Sequence, residues 1–293
     1  MGIWCDWQAQ GTRISQNFLH HNQRPDYCEW AEGGMESQDI FVEVSHGPTL
    51  IDNNVLLSQV SLRFATQGVA MVHNLMAGTF TFVGDGTGTR YTPYHIRHRT
   101  EVAGFMHFLH GDDRFYNNIF VQGFDPNGEI RRGDPGEKER VCGTWQFDEY
   151  PTYDEWITWF DLDVKRPDMG KLGKFHEKHL PVWSKDNVYL NGAKAWKHET
   201  SKLENDTDKA YVELVEEDGH YTLKTNVYDI IGAFRGGMIH SDILGCAFEP
   251  EQRFENNDGS AITFDRDYYG NTRGLGVLPG PFASAESLKE KLW

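Results

Sequence analysis

Asp6 and Glu43 are the two residues of this chain whose type and setting point to joint chemistry. They stand in Trp4-Cys5-Asp6-Trp7-Gln8-Ala9-Gln10-Gly11 and in Phe41-Val42-Glu43-Val44-Ser45-His46-Gly47-Pro48. Each acid lies shortly before a Gln-Gly or His-Gly pair. Each of those glycines is followed at the same distance by an asparagine, Asn17 after Gly11 and Asn53 after Gly47. Two carboxylates on equivalent positions of a repeated unit match what hydrolysis of a glycosidic bond requires, one acid on either side of the bond.

The elements that must position them repeat along residues 1–123. Four copies of the pattern occur: Gln10-Gly11 with Asn17, His46-Gly47 with Asn53, Gln67-Gly68 with Asn74, and His110-Gly111 with Asn117. Their unequal spacing excludes an array of fixed period and suits a solenoid of short coils with variable loops. Apolar pairs such as Phe18-Leu19, Val55-Leu56 and Ile119-Phe120 follow the asparagines and read as short strands. The pattern predicts an all-β chain that begins as a right-handed parallel β-helix with an asparagine ladder at one corner. An antiparallel sandwich with coincidental Asn turns is the alternative.

Neighbouring coils of such a fold lie about 4.7–4.9 Å apart. Asp6 is one residue further from its glycine than Glu43 is, a difference that a bulge around Ala9 would absorb. Carboxyl groups at about one strand spacing suit a retaining glycosidase, whereas an inverting enzyme separates them by about 6.5–9.5 Å. The competing reading is two surface acids on adjacent strands that repel each other. The same arithmetic puts Arg63 or Phe64 of the third coil, and His107 or Met106 of the fourth, into this column. A cation beside Glu43 favours its ionised form, while a second carboxylate favours protonation.

Two excursions interrupt the coils. The first, from His20 to Gln38, carries Trp30. The second, from Gly84 to Glu101, opens with Gly84-Asp85-Gly86-Thr87-Gly88, which lacks the ending and following helix of a phosphate loop. It contains His95 and His98, whose spacing reads as loop histidines or hydroxyl ligands rather than as a metal pair. Asp112-Asp113-Arg114 reads as a turn with its own ion pair. Between 124 and 180, Asp125-Pro126-Asn127-Gly128 and Gly133-Asp134-Pro135-Gly136 are turns, and Tyr153, Trp156 and Phe160 share one face of a short helix that packs on the solenoid. From 181 onward, alternation over 210–215 and 221–228 around Glu217-Asp218-Gly219 predicts a hairpin. Further strands at Val188-Tyr189-Leu190 and Ala261-Ile262-Thr263-Phe264 predict a small β-sandwich, and Ser284 to Trp293 a short helix. Two domains are thus expected, 1–180 and 181–293.

The chain has 293 residues with 28 Lys+Arg against 44 Asp+Glu, a formal charge of −16. That balance opposes nucleic acid, anionic membrane and polyanionic substrates and leaves neutral oligosaccharides open. Four scattered cysteines, Cys5, Cys28, Cys142 and Cys246, signal neither a zinc site nor a disulfide framework. No cofactor and no metal is expected. With no apolar run long enough to span a bilayer and no signal peptide at Met1, the expected location is cytoplasmic.

The segments around Asp6, around Glu43 with Asp52-Asn53-Asn54, and His110-Gly111-Asp112-Asp113-Arg114-Phe115-Tyr116-Asn117-Asn118 resemble glycoside hydrolase family 120. The family comprises β-xylosidases that join a right-handed parallel β-helix to a β-sandwich. The resemblance extends over nearly the whole chain and implies a retaining mechanism, with Asp6 as nucleophile and Glu43 as acid/base. His46, Arg63 and Glu101, together with His95 and His98, are the candidate substrate-orienting residues. Family members are longer and carry coils ahead of the nucleophile, so the resemblance implies a C-terminal half: the half of a split enzyme, a truncated reading frame, or a domain that assembles with an N-terminal partner half or as a homo-oligomer. Two rivals are a non-catalytic carbohydrate-binding or structural β-helix fragment, and a polysaccharide lyase, which would need Ca²⁺-binding acids and a basic catalyst that faces uronates.

Overall fold

The structure is a computed structural model, described here for residues 1–22, 38–82, 91–128, 140–159 and 178–289. Short strands follow one another through three faces. The first coil comprises β1 (Ile3–Cys5), β2 (Thr12–Ser15) and β3 (Phe18–Leu19). The second has β4 (Gln38–Glu43), β5 (Thr49–Asp52) and β6 (Val55–Leu56), and the third β7 (Val60–Ala65), β8 (Val69–Val72) and β9 (Leu75–Met76). Then come β10 (Thr79–Phe82), the pair β11 (Thr92–His95) and β12 (Val102–Met106), β13 (Asp113–Tyr116) and β14 (Ile119–Val121). The chain continues with β15 (Val182–Lys185), β16 (Asn187–Leu190), β17 (Lys202–Asn205), β18 (Val212–Glu217) and β19 (His220–Thr225). Three parallel sheets result, ordered β1-β4-β7-β10, β15-β13-β8-β5-β2 and β17-β16-β14-β9-β6-β3. The fold is all-β with parallel sheets.

Inward side chains of the three sheets form one apolar core, with Ile40, Leu62 and Phe80 meeting Ile51, Met71 and Phe115 and a row of Leu56, Met76, Phe120 and Tyr189. Phe120 and Tyr189 stack at 5.0 Å. The outer faces of the second and third sheets are covered too. Leu50, Val72 and Tyr116 pack against Ile239, Phe254 and Phe264, and Val55, Ile119 and Leu190 against Val227, Ile231 and Phe282. Burial on both faces explains why β8 reads Val-Ala-Met-Val without alternation. The buried guanidinium of Arg273, lowered to about 10 by desolvation, clamps this C-terminal cover. It donates to Asn53 Oδ1 and to the carbonyls of Leu278, Gly280 and Phe282.

An asparagine ladder ties the coils, one residue away from the expected register in two of them. Asn17 Nδ2 donates to Asn54 Oδ1 at 3.0 Å, Asn54 to Asn74 at 3.0 Å, Asn74 to Asn118 at 2.9 Å and Asn118 to Asn187 at 3.0 Å. Each of these acceptor oxygens also takes the backbone N–H of the donor residue. The residues just before the rungs, Gln16, Asn53, His73, Asn117 and Asp186, all have φ between 53° and 60°. Asn53 and Asn117 therefore make the left-handed corner, which asparagine tolerates, and Asn54 and Asn118 are the rungs. Glu199 ends the ladder: its Oε1 accepts from Asn187 N and Nδ2, and its Oε2 from the hydroxyls of Ser184 and Tyr189.

The C-terminal part differs from the expected sandwich. Strands β15, β16 and β17 extend the parallel sheets across position 180. The run Val188-Tyr189-Leu190 is buried on both faces, and periodicity alone does not distinguish such a run from a sandwich strand. The hairpin β18–β19 forms as expected, with Asp218 and Gly219 at φ 52° and 75°. Around Ala261–Phe264 only isolated bridges occur among the described residues. The helix Tyr153–Ile157 is present with a Thr152/Glu155 capping box, and Tyr153 stacks on Trp183 of β15 at 6.2 Å. Residues 285–289 form a 3-10 turn. Trp30, Cys28, the Gly84–Gly88 run, the Gly133–Gly136 turn, Phe160 and the end of the tail lie outside the described residues. Asp112 and Arg114 pair at 2.7 Å, but in the interior rather than at a surface turn. Burial holds the neighbouring Asp113 carboxyl well above its ordinary range. Among the described residues no helix is long and apolar enough to cross a membrane.

Glu199 yields a stability test. Its pKa is raised, chiefly by desolvation, with hydrogen bonds from Ser184, Tyr189 and Asn187 opposing. A raised folded-state pKa means that the protonated form favours folding. The stabilising contribution is complete below the ordinary Glu value and is lost as pH rises through the raised one. Glu199→Gln keeps the acceptor for Asn187, and its amide can donate to the two hydroxyls. Urea denaturation at neutral pH should place it within about 1 kcal/mol of the natural chain, without that pH-dependent loss, while Glu199→Ala, which strands buried donors, costs about 3 kcal/mol.

Candidate active site

Strand β1 alternates between half-buried Ile3 and Cys5 and exposed Trp4 and Asp6, so Trp4 and Asp6 project from the same outer face. Its register with β4 runs Ile3↔Ile40, Trp4↔Phe41 and Cys5↔Val42; Asp6 follows directly after the end of β1, and Glu43 is the last residue of β4. After the turn the pairing resumes as Thr12↔Thr49, at the offset of 37 that also relates Asn17 to Asn54. The two turns are thus equal in length. No bulge at Ala9 intervenes, and Gly11 falls beside Pro48 rather than Gly47. The glycine column is instead Gly47, Gly68 and Gly111, at φ 71°, 73° and 80°. A Cβ at Gly47 would stand 2.3 Å from the Gly68 carbonyl oxygen, and one at Gly111 2.1 Å from that of Leu180.

The third coil contributes differently from the expected column. Ala65 pairs with Glu43, while Arg63 pairs with Phe41, because the turn after Glu43 is longer than its third-coil counterpart. Arg63 therefore joins the row of Trp4 and Phe41, its guanidinium 5.7 Å from the Phe41 ring centre. Trp4 lies over the other neighbour of that row, its ring stacked on Phe41 at 6.0 Å and 14°. From there the Trp4 indole N–H donates to Glu43 Oε2 at 3.1 Å. Trp4 and Trp7, 48% and 44% exposed, flank the acids. Met106 and His107 are outside the column, since β10 occupies the fourth place in this sheet and Met106 ends the β11–β12 hairpin.

The remaining candidates separate into two settings. His46 is buried beneath the hairpin, with Nε2 against the Thr92 carbonyl at 3.1 Å and Nδ1 against Gln67 Nε2 at 3.2 Å. Burial lowers its pKa, against opposing backbone hydrogen bonds. His95, His98 and Glu101 line a polar cleft of about 710 Å³ together with Gln10, Arg13 and Gln252. Neither Asp6 nor Glu43 borders this cleft. Both ring nitrogens of His95 are engaged, with Gln8 Oε1 at 2.8 Å and the Thr100 carbonyl at 3.1 Å, which leaves neither for a metal ion. His98 faces Glu255 at 3.1 Å, and Glu101 pairs with Arg99 at 3.2 Å. Among the described residues no group of three metal-ligating side chains occurs.

Gln8 and Gln10 join the two settings. Gln10 exchanges hydrogen bonds with the backbone of His95, Oε1 accepting from His95 N at 2.8 Å and Nε2 donating to its carbonyl at 3.1 Å. The side chain acts as a third strand for the hairpin and fixes it to the turn that follows Asp6. The roles of Trp4, Gln8, Gln10 and the 252–257 segment were missed in the sequence. The period-two spacing of Trp4 and Asp6 was a usable signal for the first of them.

No family model and no curated protein matches the chain. A solved structure, that of XylC in complex with xylose, shares the fold at a TM-score of 0.78 and 30% sequence identity, over 96% of this chain and 39% of that chain. The chain therefore spans well under half the length of the protein that it resembles.

Gln10→Ala should free the amide of His95 without unfolding the coil. Amide hydrogen exchange followed by NMR is expected to speed up by about tenfold at His95, the worth of one hydrogen bond, and to stay unchanged at the ladder residues.

Proposed function

We propose that Asp6 and Glu43 are the acid pair of a retaining glycoside hydrolase of the family 120 type, acting on β-linked xylose at the non-reducing end of xylo-oligosaccharides. Its scaffold on this reading is a right-handed parallel β-helix. The observation that supports the proposal is the register between β1 and β4; carried one residue past Cys5, it brings Asp6 next to Glu43 on this reading. Strand spacing is about 4.8 Å, near the roughly 5–5.5 Å between carboxyl groups that retention requires. The likeness to XylC, whose structure holds xylose, supports a pentose substrate.

In this mechanism the Asp6 carboxylate attacks the anomeric carbon as Glu43 delivers a proton to the departing glycosidic oxygen. Glu43, now ionised, takes a proton from water, and that water's oxygen attacks the same carbon and releases Asp6. Two inversions give net retention. Trp4 acts as a positioning residue, because its indole N–H holds one oxygen of Glu43 and so orients the carboxyl group. Trp4 and Trp7 offer aromatic faces for sugar rings.

A second reading, a non-catalytic carbohydrate-binding or structural unit, draws on the exposure of Asp6 beside β1, an end strand of its sheet. Hydrolysis of an aryl β-xyloside separates the two. Asp6→Asn and Glu43→Gln should each lower kcat by at least about 10³-fold while the melting temperature is kept. Proton NMR of the first product should show the β-anomer. Comparable turnover in either variant, or an α-anomer first, overturns the assignment. Trp4→Phe, which keeps the ring on Phe41 but removes the donor, is expected to lower kcat by about tenfold with little change in KM.

A further inference from the structure

The cleft beside the acid pair has a chemistry of its own. It lies between the start of β2, the tip of the β11–β12 hairpin and residues 252–257. Each arginine at its wall is matched by an acid. Arg13 holds Asp52 through two bonds of 2.8 and 2.9 Å, Arg99 pairs with Glu101, Arg253 with Asp242 and His98 with Glu255. An anion or cation would have to displace an existing partner. A neutral polyhydroxylated ligand meets donors and acceptors side by side, to which Nε2 of Gln252 and the side-chain amide of Asn257 contribute.

Glu255 is one of the groups at the wall of the cleft. Its side chain is 10% exposed, and its Oε1 receives no hydrogen bond, although His98 Nε2 stands 3.1 Å away in an ion-pair contact without hydrogen-bond alignment. The hydrogen bond between Gln8 and His95 stands between this cleft and Asp6. We infer that the cleft is a second, non-catalytic binding site for a neutral oligosaccharide, separate from the Asp6–Glu43 pair.

The test is calorimetric titration of the full chain carrying both Asp6→Asn and Glu43→Gln with xylotetraose and with cellotetraose. Binding of at least one should persist in this turnover-silent chain. Its affinity should fall by about tenfold or more on adding Glu255→Ala and also on adding Arg99→Ala with Glu101→Ala, a pair exposed enough to leave the fold intact. Binding of neither sugar overturns the inference, as does an affinity unchanged in both cleft variants, or inorganic phosphate binding as tightly as the sugar. A natural chain that fails to hydrolyse an aryl β-xyloside removes the proposed function and leaves this result standing, so the two failures are distinguishable.

Discussion

The buried amide ladder from Asn17 to Asn187 is the constraint on which the other features depend. Each rung oxygen takes two N–H groups of the coil before it, and each of the rungs Asn54, Asn74, Asn118 and Asn187 gives its second N–H to a backbone carbonyl. A slip by one residue in any coil would strand several fully enclosed polar groups, each worth about 1–3 kcal/mol. The ladder thereby locks the register of the stacked strands, including the pairing of Ile3, Trp4 and Cys5 with Ile40, Phe41 and Val42. The left-handed residue before each rung serves the same end, since it turns the chain so that the next side chain points inward.

The C-terminal segment decides where chemistry can occur. It covers the outer faces of the second and third sheets with Ile239, Phe254, Phe264, Val227, Ile231 and Phe282, and Arg273 pins it to Asn53. On the first sheet, Phe41 and Ala65 are buried with Val44 and Phe108, and Trp4 and Arg63 lie in the row of Phe41. Residues 252–257 then come back to the first coil and wall the polar cleft. The cleft is thus a product of this packing, since it forms where the C-terminal segment meets the start of β2 and the β11–β12 hairpin.

Around the first coil the polar groups are organised by pairing. Gln10 serves as a strand for His95, Gln8 caps its ring, and Trp4 bonds to Glu43. Each pairing joins residues far apart in the chain and orders a short turn that lacks regular structure of its own. The long turns after Asp6 and Glu43 contain residues with positive φ, Trp7, Gln8 and Val44. This is backbone geometry that side chains disfavour and that neighbouring coils must hold in place.

Some of this was determined by the sequence itself. Repeated Gly and Asn positions pointed to stacked short strands, and Glu217-Asp218-Gly219 to a hairpin, because these signals are local and set by backbone geometry. Which asparagine of Asn53-Asn54 and Asn117-Asn118 is the rung was not legible, since asparagine suits both the left-handed corner and the ladder. The row of Arg63 depended on the lengths of two turns. The sandwich expected after residue 180 gave way to further parallel strands, because Val188-Tyr189-Leu190 looks the same in either sheet until both of its faces are seen to be covered. The meeting of Gln10 with His95 and Gln252 and of Trp4 with Glu43 was decided only in three dimensions, where strand stacking and the returning C-terminal segment bring distant residues within hydrogen-bonding reach.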